Sequence, residues 1–266
     1  MPTKRKTGEK MLRGIPVSQG VSRSRVVVLD RTRIDPAKWG ILESDPAGEE
    51  DRLQASLAET RQQILAMQER LREAMGTEEA QIFEAHLLVL EDPMLLKEVS
   101  QFIRENLVTV EFAFHEASEK YAEALGKVDD AYLSERAADI RDVTQRVLAN
   151  LMSQPPCAGL ADLTEPCIVV AHDLTPSDTA MLDPTKVLGF ITEVGSRTSH
   201  TAILARSLRI PAVLGLGEAI SELHTGQSVL LDGFNGFVVI DPSKQMLFEY
   251  GQLVERQTSI EESLEV

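Results

Sequence analysis

Between residues 45 and 150 the apolar side chains recur every three or four positions, which is the spacing of an amphipathic α-helix. Glycine is nearly absent from this block, whereas Ala, Leu, Glu, Gln and Arg dominate it. Helices with one apolar stripe bury that stripe against one another, so the pattern predicts an antiparallel helical bundle. The predicted helices cover residues 53–75, 82–90, 95–103, 110–125 and 132–151.

On both sides of this block the apolar residues form short runs bounded by Gly, Pro, Ser and Asn, as is typical of β-strands. The first two runs flank a Ser-Gln-Gly turn, which predicts a hairpin-like pair, and the last two flank Gly-Phe-Asn, which predicts a hairpin. A helical block between an opening β segment and a later α/β segment suggests an inserted subdomain. The predicted strands cover residues 12–17, 21–29, 167–171, 187–191, 211–214, 228–232 and 236–240.

After the strand at 187–191 the hydrophobic period changes from that of a strand to that of a helix. Gly195 and Ser196 predict a tight turn before the change. A hydroxyl at Thr198 or Ser199 is a good N-cap, so we expect the next residue, a histidine, in the first turn of a helix. Free backbone N–H groups and the positive end of the helix dipole favour an anion at that place.

This residue, His200, has two chemical options there. As a general base it would need a substrate pocket and usually a carboxylate partner. As a nucleophile it can take a phosphoryl group, whose charge the helix N-terminus, Arg197 and the neighbouring hydroxyls can hold. A helix-start histidine without chemistry is the simpler alternative, but it leaves the Arg, Thr and Ser directly before it unexplained.

The whole motif, residues 195–215, has the sequence GSRTSHTAILARSLRIPAVLG. It resembles the phosphohistidine signature shared by Enzyme I of the sugar phosphotransferase system, pyruvate phosphate dikinase and phosphoenolpyruvate synthase. The resemblance implies that His200 is the phosphorylated nucleophile and that Arg197, Thr198 and Ser199 contact the phosphoryl group. The chain departs from the family's common Gly-Gly-Arg at Ser196, which would be strained if the turn required a positive φ at that residue.

Two segments of the helical block resemble Enzyme I and not the dikinases or synthases. Residues 77–92, TEEAQIFEAHLLVLED, resemble the helix that receives the small phosphocarrier protein HPr, and residues 132–143 follow the pattern Leu-x-Glu-Arg-Ala-Ala-Asp-x-Arg-Asp. An acidic rim around a small apolar centre would steer a basic partner and release it quickly; a solvated amphipathic helix is the alternative. We interpret the histidine in the first segment as an interface or packing residue. The implied partner contacts are Glu78, Glu84, His86, Leu87, Leu90, Glu91, Asp92 and Arg136.

Residues 172–181, HDLTPSDTAM, place a proline directly behind a candidate N-cap, which predicts a short helix from Pro176. The segment resembles the Asp-Leu-Thr-Pro-Ser-x-Thr-Ala segment of Enzyme I. The resemblance implies that the Thr179 hydroxyl bonds the imidazole nitrogen that is not phosphorylated, which fixes the ring and its tautomer. Helix capping or packing is the alternative role for Thr179.

The resemblance covers about residues 11–260 and implies an α/β phosphohistidine (swivelling) domain with an inserted antiparallel α-helical bundle subdomain. The predicted division is a disordered basic tail at 1–10, a discontinuous α/β part at 11–31 and 156–242, a helical HPr-binding insert at 32–155, and a helix or linker at 243–266 leading toward a phosphoenolpyruvate-binding barrel.

The net charge of −15 argues against binding to nucleic acid or to an anionic membrane and fits a basic protein partner. Neither a secretory signal nor an apolar run of about 20 residues is visible. Cys157 and Cys167 form no metal pattern and are expected to be free thiols of a cytoplasmic protein. We expect no nucleotide site and no cofactor in this chain. By resemblance, the full-length enzyme uses Mg²⁺ and is a homodimer, whereas this part is a monomer.

The sequence thus predicts a phosphotransferase that carries a phosphoryl group on His200 from phosphoenolpyruvate, through a C-terminal barrel, to a histidine of HPr. Alone, this chain is expected to exchange phosphoryl groups reversibly with HPr only. Two alternatives stay open. A mobile phosphohistidine domain of a dikinase or synthase would explain the His200 motif but not the bundle. A non-catalytic HPr-binding module would explain the bundle but not the motif.

Overall fold

The computed structural model describes residues 9–29, 33–128, 131–154, 160, 163–197, 199–248 and 250–251. Within its helices, the side chains of residues 74, 75, 78, 79, 131, 132, 134 and 135 are not described. Most of the predicted basic tail, Cys157, Thr198 and the last fifteen residues, 252–266, therefore lie outside the described part of the chain.

The strands of the described residues form one eight-stranded mixed sheet, in the order β1-β8-β7-β3-β4-β5-β6-β2. From β3 to β6 neighbouring strands are parallel, and the pairs on both sides of this block are antiparallel. The strands are β1 Lys10–Arg13, β2 Ile15–Ser18, β3 Val21–Leu29, β4 Cys167–Ala171, β5 Val187–Thr192, β6 Ala212–Leu214, β7 Ser228–Asp232 and β8 Phe237–Ile240.

The predicted hairpin at the start of the chain is wrong, whereas the predicted hairpin of β7 and β8 is confirmed. Strand β2 pairs with β6, and β3 pairs with β4 and β7, so the chain crosses the sheet between β2 and β3. Gly14 separates β1 from β2, and a Cβ there would lie 2.6 Å from side-chain atoms of Leu216 and Val213. The strands of the opening segment, β1 to β3, pair with strands that lie about 140 to 230 positions later in the chain.

The five predicted bundle helices are present, and their bounds extend the predicted ones by up to seven residues. One further turn of helix fills the stretch between Gly76, at φ 111°, and Gln81. The helices are α1 Pro46–Met75, α2 Thr77–Ala80, α3 Ile82–Leu90, α4 Pro93–Asn106, α5 Val110–Gly126, α6 Ala131–Leu151, α7 Pro176–Ala180 and α8 His200–Ser207, with a 3₁₀ helix at Gly217–Glu222.

The chain divides into two compact units. The sheet unit comprises the described residues of 1–30, 162–174 and 182–266, and the helical unit those of 31–161 and 175–181. Strands β3 and β4 are parallel neighbours, so the helical insertion occupies the connection between them. This arrangement confirms the predicted α/β fold with an inserted helical bundle.

One segment belongs to a different unit from the one expected. The predicted division placed Thr175–Met181 in the α/β part, whereas the structure groups this segment, which contains α7, with the helices. The reason lies in its contacts: the backbone N–H of Ser177 donates to Asp142 of α6, and the Arg70 guanidinium of α1 donates to the Met181 sulfur at 3.7 Å. The other predicted boundaries remain predictions.

Each unit has its own core. The core of the sheet unit consists of apolar side chains that neighbouring strands bury against one another. Its fully buried members include Val26, Ile168, Ile191, Val213 and Leu231. The core of the helical unit is built from stripes of buried apolar side chains, as the periodicity predicted. Its largest members are Leu53, Ile64, Phe83, Ile103, Phe114 and Leu148.

Cys167 opens β4 and is buried in the sheet unit, and burial raises the pKa of its thiol. A buried thiol of raised pKa is a poor nucleophile, so Cys167 acts as a small core side chain. Of the helices in the described residues, none has the length and apolar character needed to cross a membrane.

Candidate functional site

The candidate site lies in the loop of residues 193–199, at the carboxyl end of β5. In open sheets with parallel strands this end is the usual place for ligands. The backbone N–H of Leu216 donates to the Thr192 carbonyl at 3.1 Å, and the N–H of Gly217 donates to the Glu193 carbonyl at 2.9 Å. The segment after β6 therefore supports the beginning of the loop.

The turn at the centre of this loop requires glycine at only one position. Gly195 has φ 129°, and a Cβ there would lie 3.1 Å from the Leu214 Cδ1 atom. Ser196 is not among the described non-glycine residues with positive φ, which are Leu107, Ser153, Arg209 and Asp241. The serine in place of the family's second glycine therefore introduces no backbone strain.

Ser199 is the N-cap of α8, with φ −63° and ψ 155°. Its Oγ accepts a hydrogen bond from the Ala202 N–H at 3.4 Å and donates one to the Ser196 carbonyl at 2.9 Å. The hydroxyl hydrogen of Ser199 is thus used inside the loop. In this structure the residue caps the helix and closes the turn, and no hydrogen remains on this hydroxyl for a phosphoryl oxygen.

His200 is the first residue of α8, as predicted, and it is partly exposed. The first backbone N–H groups of a helix lack acceptors within the helix itself, and this end of the helix favours an anion. Two buried hydroxyls hold α8 in the sheet unit. Thr201 Oγ1 donates to the Leu174 carbonyl at 2.9 Å, and Ser18 Oγ donates to the Ala205 carbonyl at 3.1 Å.

Two arginines place positive charge at this loop and in the helix that follows it. The Arg197 side chain is exposed. Its carbonyl oxygen accepts two hydrogen bonds from the Arg206 guanidinium, at 3.2 and 3.1 Å. The last turn of α8 therefore fixes the backbone of Arg197, which precedes the helix. Sequence reasoning missed Arg206 because a basic residue in the last turn of a helix is sufficiently explained by the helix dipole.

A second ionisable pair lies at the ends of neighbouring strands. His172 Nδ1 and Glu193 Oε2 are 2.8 Å apart, directly after β4 and β5. The His172 side chain is two-thirds exposed at that place. The pair lies beside the loop that leads to His200.

Thr179 lies in α7 of the helical unit, and 3 % of its surface is exposed. Its hydroxyl donates to the Pro176 carbonyl at 2.9 Å, with the Thr175 carbonyl at 3.2 Å. Thr175 and Asp178 form a capping box at the start of the helix, which confirms the predicted cap. The predicted bond from Thr179 to His200 remains a prediction.

The structure corrects two of the predicted partner contacts on α3. His86 is 1 % exposed and Leu90 is 3 % exposed, so both side chains pack inside the helical unit and cannot touch a partner. Leu88, which sequence reasoning passed over, is 72 % exposed. It shares the outward side of α3 with Glu84 and with Glu91, the C-cap, because residues four and three apart lie on one side of a helix. We call Glu84, Leu88 and Glu91 the outer face of α3.

The other predicted contacts have different environments. Leu87 is half-buried. Asp92 is the N-cap of α4, accepting from the N–H groups of Met94 and Leu95. Arg136 Nη1 lies 3.4 Å from Asp139 Oδ2, so the two side chains form a pair within α6. The side chain of Glu78 lies outside the described part of the structure.

The described residues contain no group of three or more His, Cys, Asp or Glu side chains arranged to hold a metal ion.

Two known families match this chain, and their matched residues lie in both units. The families PEP-utilising enzyme, N-terminal, and PEP-utilising enzyme, mobile domain, match residues 13–136 and 163–236. Phosphoenolpyruvate-protein phosphotransferase of Enterococcus faecalis (strain ATCC 700802 / V583) is 41 % identical, over 88 % of this chain and 40 % of that protein. The Bacillus subtilis (strain 168) protein of the same name is 41 % identical, over 90 % and 41 %. An NMR solution structure of Enzyme I (nEIt) matches with a TM-score of 0.74 and 38 % identity, over 93 % of this chain and 99 % of that one.

The chain thus spans about 40 % of the length of the curated relatives that it matches. The matched solved structure, in contrast, is covered almost completely.

Proposed function

This chain belongs to the Enzyme I family of PEP-utilising enzymes, and on that basis we propose that His200 carries a phosphoryl group and exchanges it with a histidine of HPr. The observation that carries the proposal is the place of His200 as the first residue of α8, behind a capped and braced turn. A phosphoryl group on this ring would meet the N–H groups and the positive end of the helix.

In the proposed reaction the neutral imidazole of His200 attacks phosphorus in line and displaces the imidazole of phospho-HPr, which keeps the electron pair of the broken N–P bond. The reverse step returns the group by the same path. Arg197 and the first turn of α8 offset the charge of the phosphoryl oxygens, and catalysis of phosphoryl transfer depends mainly on such positioning and charge.

The proposed partner of the second imidazole nitrogen is Thr179, as the family resemblance implies. Its hydroxyl hydrogen is already given to the Pro176 carbonyl, so the oxygen can only accept a further hydrogen bond. An accepting oxygen selects the ring nitrogen that carries hydrogen. This contact would leave the lone pair on the other nitrogen, and we propose Nδ1–H toward Thr179 and Nε2 as the nucleophile.

We propose that HPr docks on the outer face of α3. Two carboxylates flank the exposed Leu88 there, and Asp92 follows at the start of α4. Such a surface attracts a basic partner by charge and holds it through a small apolar contact. Arg136, which is partly exposed, is a further proposed contact. Buried His86 and Leu90 support the surface from inside.

The full-length protein is proposed to act as phosphoenolpyruvate–protein phosphotransferase in the cytoplasm. In this proposal a C-terminal barrel binds phosphoenolpyruvate and Mg²⁺ and drives dimerisation, and this chain alone exchanges phosphoryl groups with HPr but does not use phosphoenolpyruvate. A dikinase-type mobile domain is disfavoured because the resemblance to Enzyme I includes the helical unit.

The test is incubation with ³²P-labelled phospho-HPr, with the chain-bound label scored for lability in acid and stability in base. We expect label on the wild type and none on His200→Ala. His172→Ala is the matched control, because it removes an exposed histidine beside the same loop and should retain the label. A folded wild type without label would overturn the proposal, and so would label that persists on His200→Ala.

A further inference from the structure

Three ionisable side chains meet inside the helical unit. His86 of α3 is 1 % exposed, and Asp139 and Asp142 of α6 are 4 % and 7 % exposed. His86 Nε2 lies 3.4 Å from Asp139 Oδ1 and 3.9 Å from Asp142 Oδ2. We call these three residues the buried cluster.

Each member of the buried cluster has a further neighbour. Arg136 Nη1 lies 3.4 Å from the second oxygen of Asp139, and the Phe83 ring meets the His86 ring edge to face at 5.4 Å. Asp142 Oδ2 accepts a hydrogen bond from the backbone N–H of Ser177 at 3.3 Å. Buried carboxylates are costly unless they are paired and hydrogen-bonded, and an apolar set of the same volume is often at least as stable. Stability alone therefore does not explain the cluster.

The bond from Asp142 to Ser177 reaches the helix that carries Thr179. Helix α7 has five residues, too few to be stable without tertiary contacts. Ser177 belongs to its first turn, two positions before Thr179, so the carboxylate of Asp142 fixes α7 close to the hydroxyl. The opposite side of the cluster rests on α3, whose outer face is the proposed docking surface.

We infer that the buried cluster is a positioning device for phosphoryl transfer: it ties α7 to α3 and α6 and thereby sets the direction of the Thr179 hydroxyl. The inference rests on the proposed function, because the hydroxyl matters only if it holds the His200 ring. Asp142 is a positioning residue here, and it touches neither HPr nor the phosphoryl group.

The test compares Asp142→Ala and Asp142→Asn with Thr179→Val, and uses Thr144→Ala as the control. Thr144 is buried in the same helix, and its hydroxyl bonds the Ile140 carbonyl at 2.7 Å, so its loss disturbs α6 without touching the cluster. Three quantities are measured: the ¹⁵N chemical shifts of the His200 imidazole, the Kd for HPr, and the transfer rate at saturating phospho-HPr.

For Asp142→Ala we expect the His200 ¹⁵N shifts to move in the same direction as in Thr179→Val. The transfer rate should fall at least ten-fold, while the Kd for HPr stays within two-fold of the wild type. Asp142→Asn keeps an oxygen that can accept from Ser177 and should recover most of the rate. The double variant Asp142→Ala with Thr179→Val should be no slower than the slower single variant, because both act on one contact.

The inference is overturned if Asp142→Ala lowers the midpoint of thermal unfolding while its His200 ¹⁵N shifts and its transfer rate equal those of the control Thr144→Ala. Should Asp142→Ala not fold, Asp142→Leu gives the same decision, since apolar replacements of buried charges are commonly tolerated. The ¹⁵N shifts are measured without HPr, so they test this inference separately from the proposed function. A failure of phospho-HPr to label the wild type would overturn the proposed function, and the ¹⁵N shifts would still decide the inference.

Discussion

The guanidinium of Arg206 donates a hydrogen bond from each of its two terminal nitrogens to the carbonyl oxygen of Arg197, at 3.2 and 3.1 Å. The two residues enclose the N-cap and the first six residues of α8, so this contact closes the His200 turn against the body of its own helix. Hydrogen bonds from a charged donor are stronger than neutral ones.

Replacing Arg206 by Gln should therefore loosen the turn and misplace Arg197. We expect the transfer rate from saturating phospho-HPr to fall about five- to ten-fold, which corresponds to roughly 1–1.4 kcal/mol in the barrier. The matched control is Arg209→Gln, which removes the same charge from an exposed site just beyond the end of α8 and should retain the rate. Equal losses in both variants would assign the effect to net charge, against this prediction.

Gly195→Ala tests the backbone of the same turn. A side chain at φ 129° is strained, and the new Cβ would press on Leu214 at 3.1 Å. We expect the free energy of unfolding of the sheet unit to fall by about 1–3 kcal/mol. Urea denaturation measures it, with Gly48→Ala as the control, because a Cβ at Gly48 meets no atom within 4 Å and an alanine suits α1. An unchanged midpoint for Gly195→Ala would contradict the prediction.

The place of His200 could be predicted because its signals are local. The turn glycine, the capping hydroxyl and the change of hydrophobic period all lie within about ten residues of it. The α7 cap was predictable for the same reason, since Thr175, Pro176 and Asp178 are adjacent in sequence.

What the sequence missed depends on distant residues. The pairing of β2 with β6 joins Ile15 to Leu214, and nothing near residue 15 indicates that partner. The burial of His86 depends on Asp139, 53 positions later. Leu88 and Leu90 are alike in type, and only the packing of the helical unit decides that the first faces outward and the second inward.

Leu88→Ser tests the proposed docking surface. The side chain is 72 % exposed, so the change should leave the unfolding midpoint nearly unchanged while it removes the apolar centre between Glu84 and Glu91. We expect the Kd for HPr to rise about ten-fold, a loss of roughly 1.4 kcal/mol, measured by titration calorimetry. Leu42→Ser is the matched control, since Leu42 is 71 % exposed elsewhere on the helical unit and should leave the Kd unchanged. An equal effect of both changes would place the docking surface elsewhere.

The titration of Tyr250 should make the stability of the sheet unit depend on pH in the alkaline range. Burial, followed by the charge of Asp232 and a hydrogen bond to it, raises the pKa of Tyr250 to about 12 from the usual 10.0. Between pH 10.0 and about pH 12 the phenol keeps its proton in the folded chain but has lost it in the unfolded chain. The stabilising contribution of the neutral phenol is therefore complete below pH 10 and is lost as the pH rises from about 10 to about 12. Urea denaturation at intervals over this range should show a steeper fall in the free energy of unfolding for the wild type than for Tyr250→Phe, which keeps the ring and cannot titrate. Parallel curves for the two proteins would show that Tyr250 titrates alike in the folded and unfolded chains.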